Sequence, residues 1–585
     1  MTKSMLHETT YATGTLVQEE MGLWAGWVSH GGSFSDCLPI WNQSRDVCLI
    51  FSGEHFADRS EIEGLRAAGF HCPKEDASYL MALYEKEGPH FFEKLNGVFC
   101  GILVDLRERK VVVFNDRYGM GRLYVHETPD ACYFASEAKA LLQVLPQLRQ
   151  IDQRGWGELF GTGCVLQNRT IFSGVSLFPP ASLWTFSSAC PVRKEIYFDS
   201  QVWESQSALA PEQYYEKLKD TIATVLPRYF RPNEKISMSL TGGLDGRIIM
   251  AWLRRAPGTL PCYTHRGMFN ECADAQVARR VAKTCGQPHR VIKVNGEFLS
   301  GFADLAKRTV YITDGAMDVS GTPGLFVNRI SGREIAPIRM TGNYGGEILR
   351  GIMVLNAKKL LNPFFDRDFE RSIEQGVQTL GQETKANRAS LIAFKQMPWH
   401  HYSRYVLEHS QVNVRSPYLD NDLVALSFQK PADRSLNKTL AARLIEAGNP
   451  ELVTFPTDRG PLGRPGFLGR IRESCQEFAF KADYAYDYGM PHWLAKTDRF
   501  LSPLHLERLF LGRHKYYHFR YFYRNQLAPV VKEILLDSRA LSRPYLDRRR
   551  VEHMVKAHVS GSGNYTTEIH TLLTSELIHS QLIEQ

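Results

Sequence analysis

The stretch from Lys235 to Arg255, KISMSLTGGLDGRIIMAWLRR, holds the residues best spaced for chemistry. Ile236, Met238 and Leu240 alternate with polar residues and predict a strand, while Ile248, Ile249, Trp252 and Leu253 recur at helical spacing. Between them lies the turn Thr241, Gly242 and Gly243. Its two residues without Cβ let main-chain N–H groups approach an anion, and the following helix adds its positive N-terminal end. A pyrophosphate group suits such a turn. No G-x-x-x-x-G-K-[ST] occurs in the chain, so transfer of a terminal phosphoryl group is the less natural chemistry. Asp245, just inside the helix, offers carboxylate oxygen to a magnesium ion held against phosphates. The plain alternative is a glycine turn that only joins strand to helix.

A chain of 585 residues is too long for one core, so two domains of unequal size are expected. Hydrophobic residues at 43% and charged residues at 23% fit an ordinary globular protein. The net charge of +7 is scattered, which suits anionic ligands without requiring nucleic acid. The eleven cysteines form no C-x-x-C, and with no secretory signal at the amino end they read as reduced thiols of a cytoplasmic protein. No run of about 18 apolar residues is present, so no membrane span is expected. After the opening helix, LPCYTHRG (260–267), ADAQVARRVAKTC (273–285) and HRVIKV (289–294) read as strand, helix and strand. This alternation implies a parallel sheet with ligands at the carboxyl ends of its strands.

The glycine turn resembles the S-G-G-L-D-S pyrophosphatase-type loop, the PP-loop, of the asparagine synthetase family. The resemblance implies an ATP site made by Ser239, Leu240, Thr241, Gly242, Gly243, Leu244, Asp245 and Gly246, with Mg2+ as the second cofactor. A second segment, MTGNYGGEILRG (340–351), is similar to the family's L-S-G-E-G-S-D-E-x-F-G-G. It implies that Gly342 contacts the nucleotide and that Glu347 joins Asp245 as a metal ligand. Asn343 stands in the place of an acid that works on the amine, and Gly346 in the place of the second magnesium aspartate. Either Glu347 or Asp274 then supplies that charge, or the metal site is weakened. Arg415, Pro417, Leu419 and Asp420 match the family's R-x-P-F-L-D segment, with Arg415 and Asp420 expected to form a buried pair. Arg459 lies where a lysine of the family grips pyrophosphate, with Lys438 as the competitor for that role and a solvated surface arginine as the plain alternative.

The N-terminal half resembles class II glutamine amidotransferases. Their αββα sandwich begins with a cysteine whose thiolate attacks glutamine while its free amine serves as base. Met21 occupies that place here, with Glu54 and Asp76 as the rest of a vestigial glutamine site; a thioether cannot be acylated usefully, so glutaminase activity is expected to be absent. Thr2 after removal of Met1, and the internal Cys37, are read as structural. The expected fold is α/β: an extension over 1–20, an Ntn-hydrolase-like αββα sandwich over 21–190 and a linker over 191–211. A PP-loop domain with a parallel sheet follows over 212–470, and then a largely helical extension over 471–585.

The implied reaction is ATP-dependent formation of an amide from a carboxylate and ammonia or an amine, with release of AMP and pyrophosphate. An intramolecular cyclase of the lasso-peptide or β-lactam type, a tRNA-modifying enzyme and a catalytically silent nucleotide binder are the alternatives. A homodimer and a peptide substrate are left open among partners, with nucleic acid disfavoured. The aromatic, basic run ending RHKYYHFRYFYR is read as a helix burying one side rather than a surface that stacks bases. His400 and His401 are read as packing residues.

Overall fold

The computed structural model describes residues 1–72, 74–187, 190–358, 364–431, 436–457 and 517–584, with short pieces between 474 and 512. The first half builds on a six-stranded antiparallel sheet in the order Cys190–Ile196, Ser182–Ser187, Lys110–Asn115, Gly97–Asp105, Val47–His55, Ile40–Trp41. One face packs against a three-stranded sheet (Cys132–Ala135, Tyr124–Glu127, Ser176–Leu177) through Cys100, Val113, Val125, Phe178 and Trp184. The other carries Leu49, Phe51, Leu103 and Phe114 against the helices Arg59–Ala67 and Tyr79–Glu87. Helices Ala138–Val144 and Gln153–Thr162 cover the smaller sheet, completing the expected αββα layers.

The second half is organised by a five-stranded parallel sheet in the order His289–Lys293, Cys262–Arg266, Ile236–Ser239, Ile338–Thr341, Asn413–Arg415. Its first strand in sequence is therefore its central one. Ile236, Ser237 and Met238 are all buried, as a strand covered on both faces requires, and the Ser237 hydroxyl is satisfied by the Ile338 carbonyl. Strand order reverses at Ile236–Ser239, so the turn at its carboxyl end occupies the switch point where such sheets leave a crevice.

Two segments differ from expectation. Residues 1–20, expected to stay outside the first core, form a short 3-10 turn at Thr2–Met5 and a hairpin of Tyr11–Gln18 with Leu23–His30. Met5 is buried, and the Trp27 ring lies where a Cβ on Gly14 would fall. A two-stranded ribbon with one packed face carries little hydrophobic pattern, which hid it in the sequence. The expected linker likewise contributes Cys190–Ile196 to the edge of the large sheet and buries Trp203 against Phe198, Phe394 and Phe428. An edge strand that leaves Val192 and Ile196 exposed shows no periodicity.

Candidate active site

Gly243 starts the Leu244–Trp252 helix from an extended conformation, and Ile248, Ile249, Met250 and Ala251 bury its inner side. The loop before the Gly345–Arg350 helix presses directly on that helix start. A Cβ on Gly342 would lie 2.4 Å from the Gly246 nitrogen, and one on Gly345 would lie 2.7 Å from Asp245 Cβ. The two glycine loops identified from sequence thus meet at the switch point. Tyr418 donates to the Asp245 carbonyl at 2.8 Å and Ser416 to the Asn343 carbonyl at 2.6 Å, so the Arg415–Asp420 segment buttresses the junction.

Gly242 N–H donates to the Asp274 carboxylate at 2.8 Å and Gly243 N–H to the Thr241 hydroxyl at 3.1 Å. An anionic oxygen therefore already sits on the Gly242 N–H, the same kind of partner that a phosphate would supply. Asp274 is spent on this contact. Arg247, fully buried, was not recognised from sequence. It donates to the carbonyls of Gly242, Phe455 and Pro456, fixing the glycine loop to the segment that leads toward Arg459. Arg459 itself lies outside the described residues.

The presumed metal ligands are placed differently from expectation. Arg350 donates two hydrogen bonds to Asp245, Nη1 to Oδ1 at 2.6 Å and Nη2 to Oδ2 at 2.9 Å. Burial raises the Asp245 carboxyl above its ordinary range, with Arg350 pulling it down and Glu347 pushing it up. Glu347 lies 3.2 Å from His401 Nε2; burial opposes its ionisation, but the contact with His401 outweighs it and holds Glu347 below its ordinary range. His401 is thus a polar neighbour of the loop rather than a packing residue. Both carboxylates expected to hold magnesium have cationic or polar partners, and no cluster of three potential ligands occurs among the described residues. As arranged, the donor set does not fit a protein-bound divalent ion.

Beside Ser239 opens a cavity of about 210 Å3, lined by Tyr263, His265, Asn328, Arg339, Arg404 and Glu408 among others. Arg339 bonds Asn328 at 3.0 Å, lies 2.9 Å from Glu408 and donates to the Ser239 hydroxyl at 3.2 Å, while Arg404 donates to Glu408 at 3.1 Å. Two guanidinium groups share one carboxylate, and the buried Tyr263 hydroxyl and Arg339 Nε make no hydrogen bond among the described residues. The cavity is therefore electropositive and has polar groups to spare.

The supposed glutamine site is not assembled. Met21 ends a 3-10 turn at the hairpin tip and packs with Cys48, Val104 and Val111 at one end of the large sheet. Glu54 lies six residues beyond Cys48 on the Val47–His55 strand, roughly 20 Å along it at about 3.3 Å per residue. Its carboxylate is buried at the domain junction, where Arg415 donates to it at 2.6 and 2.7 Å and Arg231 at 3.2 Å. Burial opposes its charge, but the arginines win and hold it at about 2. Arg415 also binds Glu234, whereas Asp420 caps the Asn421–Ser427 helix and pairs with Arg228. Arg415 and Asp420 are both buried and paired, but not with each other. Asp76 bonds the Ser78 N–H at 3.0 Å, and Cys37 is near enough to feel its charge. Burial and Asp76 push that thiol up to about 11, which leaves it protonated at neutral pH.

Comparison with known proteins gives two matches in tandem: a glutamine amidotransferase domain over residues 33–197 and asparagine synthase over residues 217–445. The first begins beyond Met21. Asparagine synthetase [glutamine-hydrolyzing] 1 of Bacillus subtilis is 21% identical over 340 residues, 58% of this chain and 52% of that protein. A probable asparagine synthetase of Schizosaccharomyces pombe is 23% identical over 252 residues, 43% of this chain and 40% of that one. The aligned region thus spans about half the length of these relatives or less. A solved glutamine phosphoribosylpyrophosphate amidotransferase of B. subtilis is 11% identical over 46% of this chain and 50% of its own, with a TM-score of 0.21, too low to bear on function. The antiparallel sandwich, the parallel sheet with its glycine loop at the switch point and the two tandem matches make the chain a member of the asparagine synthetase family.

Proposed function

We propose that the protein uses ATP to adenylate a carboxylate and passes the acyl group to ammonia or an amine. The carboxylate oxygen attacks the α-phosphorus and pyrophosphate leaves; the amine nitrogen then attacks the acyl carbon, AMP departs with the carboxyl oxygen, and the amine loses a proton. This sequence turns a poor leaving group into a good one. The observation that carries the reading is the glycine loop at the switch point, inside the segment that matches asparagine synthase. Gly242, Gly243 and the helix start would bind the triphosphate, with Ser239, Leu240, Thr241, Leu244, Gly246 and Gly342 shaping the floor. The cavity beside Ser239, with its surplus guanidinium, has the charge to take an acid. Arg459 would meet the departing pyrophosphate.

The amine is proposed to come from solution or from the substrate, because Met21 lies apart from Glu54 and the Cys37 thiol stays protonated. Three rings of the aromatic run, Phe519, Phe522 and Tyr523, are buried and so present no face for base stacking. Incubation with ATP, ammonium and a panel of carboxylic acids, followed by chromatography of the nucleotides, should show AMP accumulating with pyrophosphate. ADP as the sole product would overturn the assignment.

A further inference from the structure

Arg350 occupies a particular space. A Cβ built on Gly346 would lie 2.9 Å from Arg350 Nη2 and 3.2 Å from Ile352 Cδ1, so a side chain at 346 would have to displace the guanidinium from where it reaches Asp245. The resemblance to the family's L-S-G-E-G-S-D-E-x-F-G-G implies an aspartate in the place of Gly346. Glycine at 346 leaves the room that the Arg350 guanidinium fills on Asp245. Asp245 belongs to the first turn of the loop helix, and Arg350, with its side chain 18% exposed, ends the helix that follows the second glycine loop. The guanidinium thus stands between the two loops assigned to the triphosphate, on the carboxylate that was expected to carry magnesium. Its planar, always-charged fork matches the geometry of phosphate oxygens.

We propose that Arg350 replaces a protein-anchored divalent cation at the triphosphate site: Asp245 orients the guanidinium, Gly346 admits it, and the phosphates meet this resident charge. Metal carried by the nucleotide is compatible with this arrangement; what the protein no longer supplies is a carboxylate anchor for it. The proposal rests on the ATP-dependent reading above and is tested through binding, so that the two can fail separately. Titration calorimetry of the full-length protein with a non-hydrolysable ATP analogue, in magnesium and in EDTA, should give affinities within about threefold of each other. Manganese titrated into the complex and followed by electron paramagnetic resonance should show no ion site beyond that of the nucleotide. Arg350→Met should weaken metal-free binding roughly a hundredfold. The double variant Gly346→Asp with Arg350→Met should acquire both a protein-bound manganese signal and metal-dependent affinity. Thermal melts identify variants that fail to fold, and Arg350→Lys then serves in place of Arg350→Met, with partial loss expected.

Wild-type binding that collapses in EDTA, together with a manganese signal removed by Asp245→Asn, would overturn the proposal and leave the ligase reading standing. Binding that occurs only in Arg350→Met would also overturn it, by showing the pair to be a latch. Absence of nucleotide binding in every variant would overturn both.

Discussion

Glu54 shows how a single carboxylate can resemble part of a glutamine site and do other work. It is buried between Arg415 and Arg231 at the junction of the two halves. Its folded pKa of about 2 lies below its ordinary 4.5, so its stabilisation is fully present above pH 4.5 and is lost as pH falls toward 2. The shift corresponds to about 3 kcal/mol. Arg415→Met strands Glu54 and Glu234 beside one remaining arginine and should cost about 3–5 kcal/mol in denaturant unfolding at neutral pH. A loss under about 1 kcal/mol would remove Glu54 from the stability of the junction. Cys37 supplies the second test at this scale: with its thiol held at about 11, no glutamate should be released from glutamine at neutral pH, with or without ATP. Thr2, whose methyl group packs over Gly26, is the remaining nucleophile to check. Glutamine hydrolysis that disappears in Cys37→Ala or Thr2→Ala would show which residue had been dismissed wrongly.

Among the elements, the decisive contact is the approach of the 342–346 loop to the start of the Leu244–Trp252 helix. Gly342→Ala places a methyl group 2.4 Å from the Gly246 nitrogen, a backbone atom that cannot step aside without opening the glycine turn. Nucleotide affinity should fall at least tenfold, about 1.4 kcal/mol, while the circular dichroism spectrum is retained. Unchanged affinity would mean that the two loops do not act together. These loops were legible in the sequence because glycine pairs between a strand and a helix are local patterns, and the strands at 262–266 and 289–293 alternate with helices of ordinary length. Arg350 on Asp245 was not legible, since the partners are 105 residues apart and only the fold joins them. Arg247 was hidden for a related reason: its hydrogen bonds go to main-chain carbonyls, which leave no trace in residue types.

Across the whole molecule, the C-terminal helices are part of the core rather than an appendage. Leu572, Leu573 and Leu577 on the Thr566–Ile578 helix share one apolar cluster with Phe302 and Val310 of the second half and with Trp156 and Ile171 of the first. Thr574 accepts the Val319 N–H at 3.0 Å, and Ile578 fills the space beside Gly315. Leu573→Ala should therefore destabilise the protein by about 2–5 kcal/mol and lower the melting of both halves together, measured by calorimetry. Two separate transitions, with only the later one shifted, would mean that the shared cluster does not couple them. The measurement that bears most directly on the proposed chemistry is exchange of labelled pyrophosphate into ATP. With the correct carboxylic acid present, label should enter ATP in the absence of any amine and should vanish when the acid is withheld. Exchange that ignores the acid, or tight nucleotide binding with no exchange under any acid of a broad panel while ADP accumulates, would contradict adenylation.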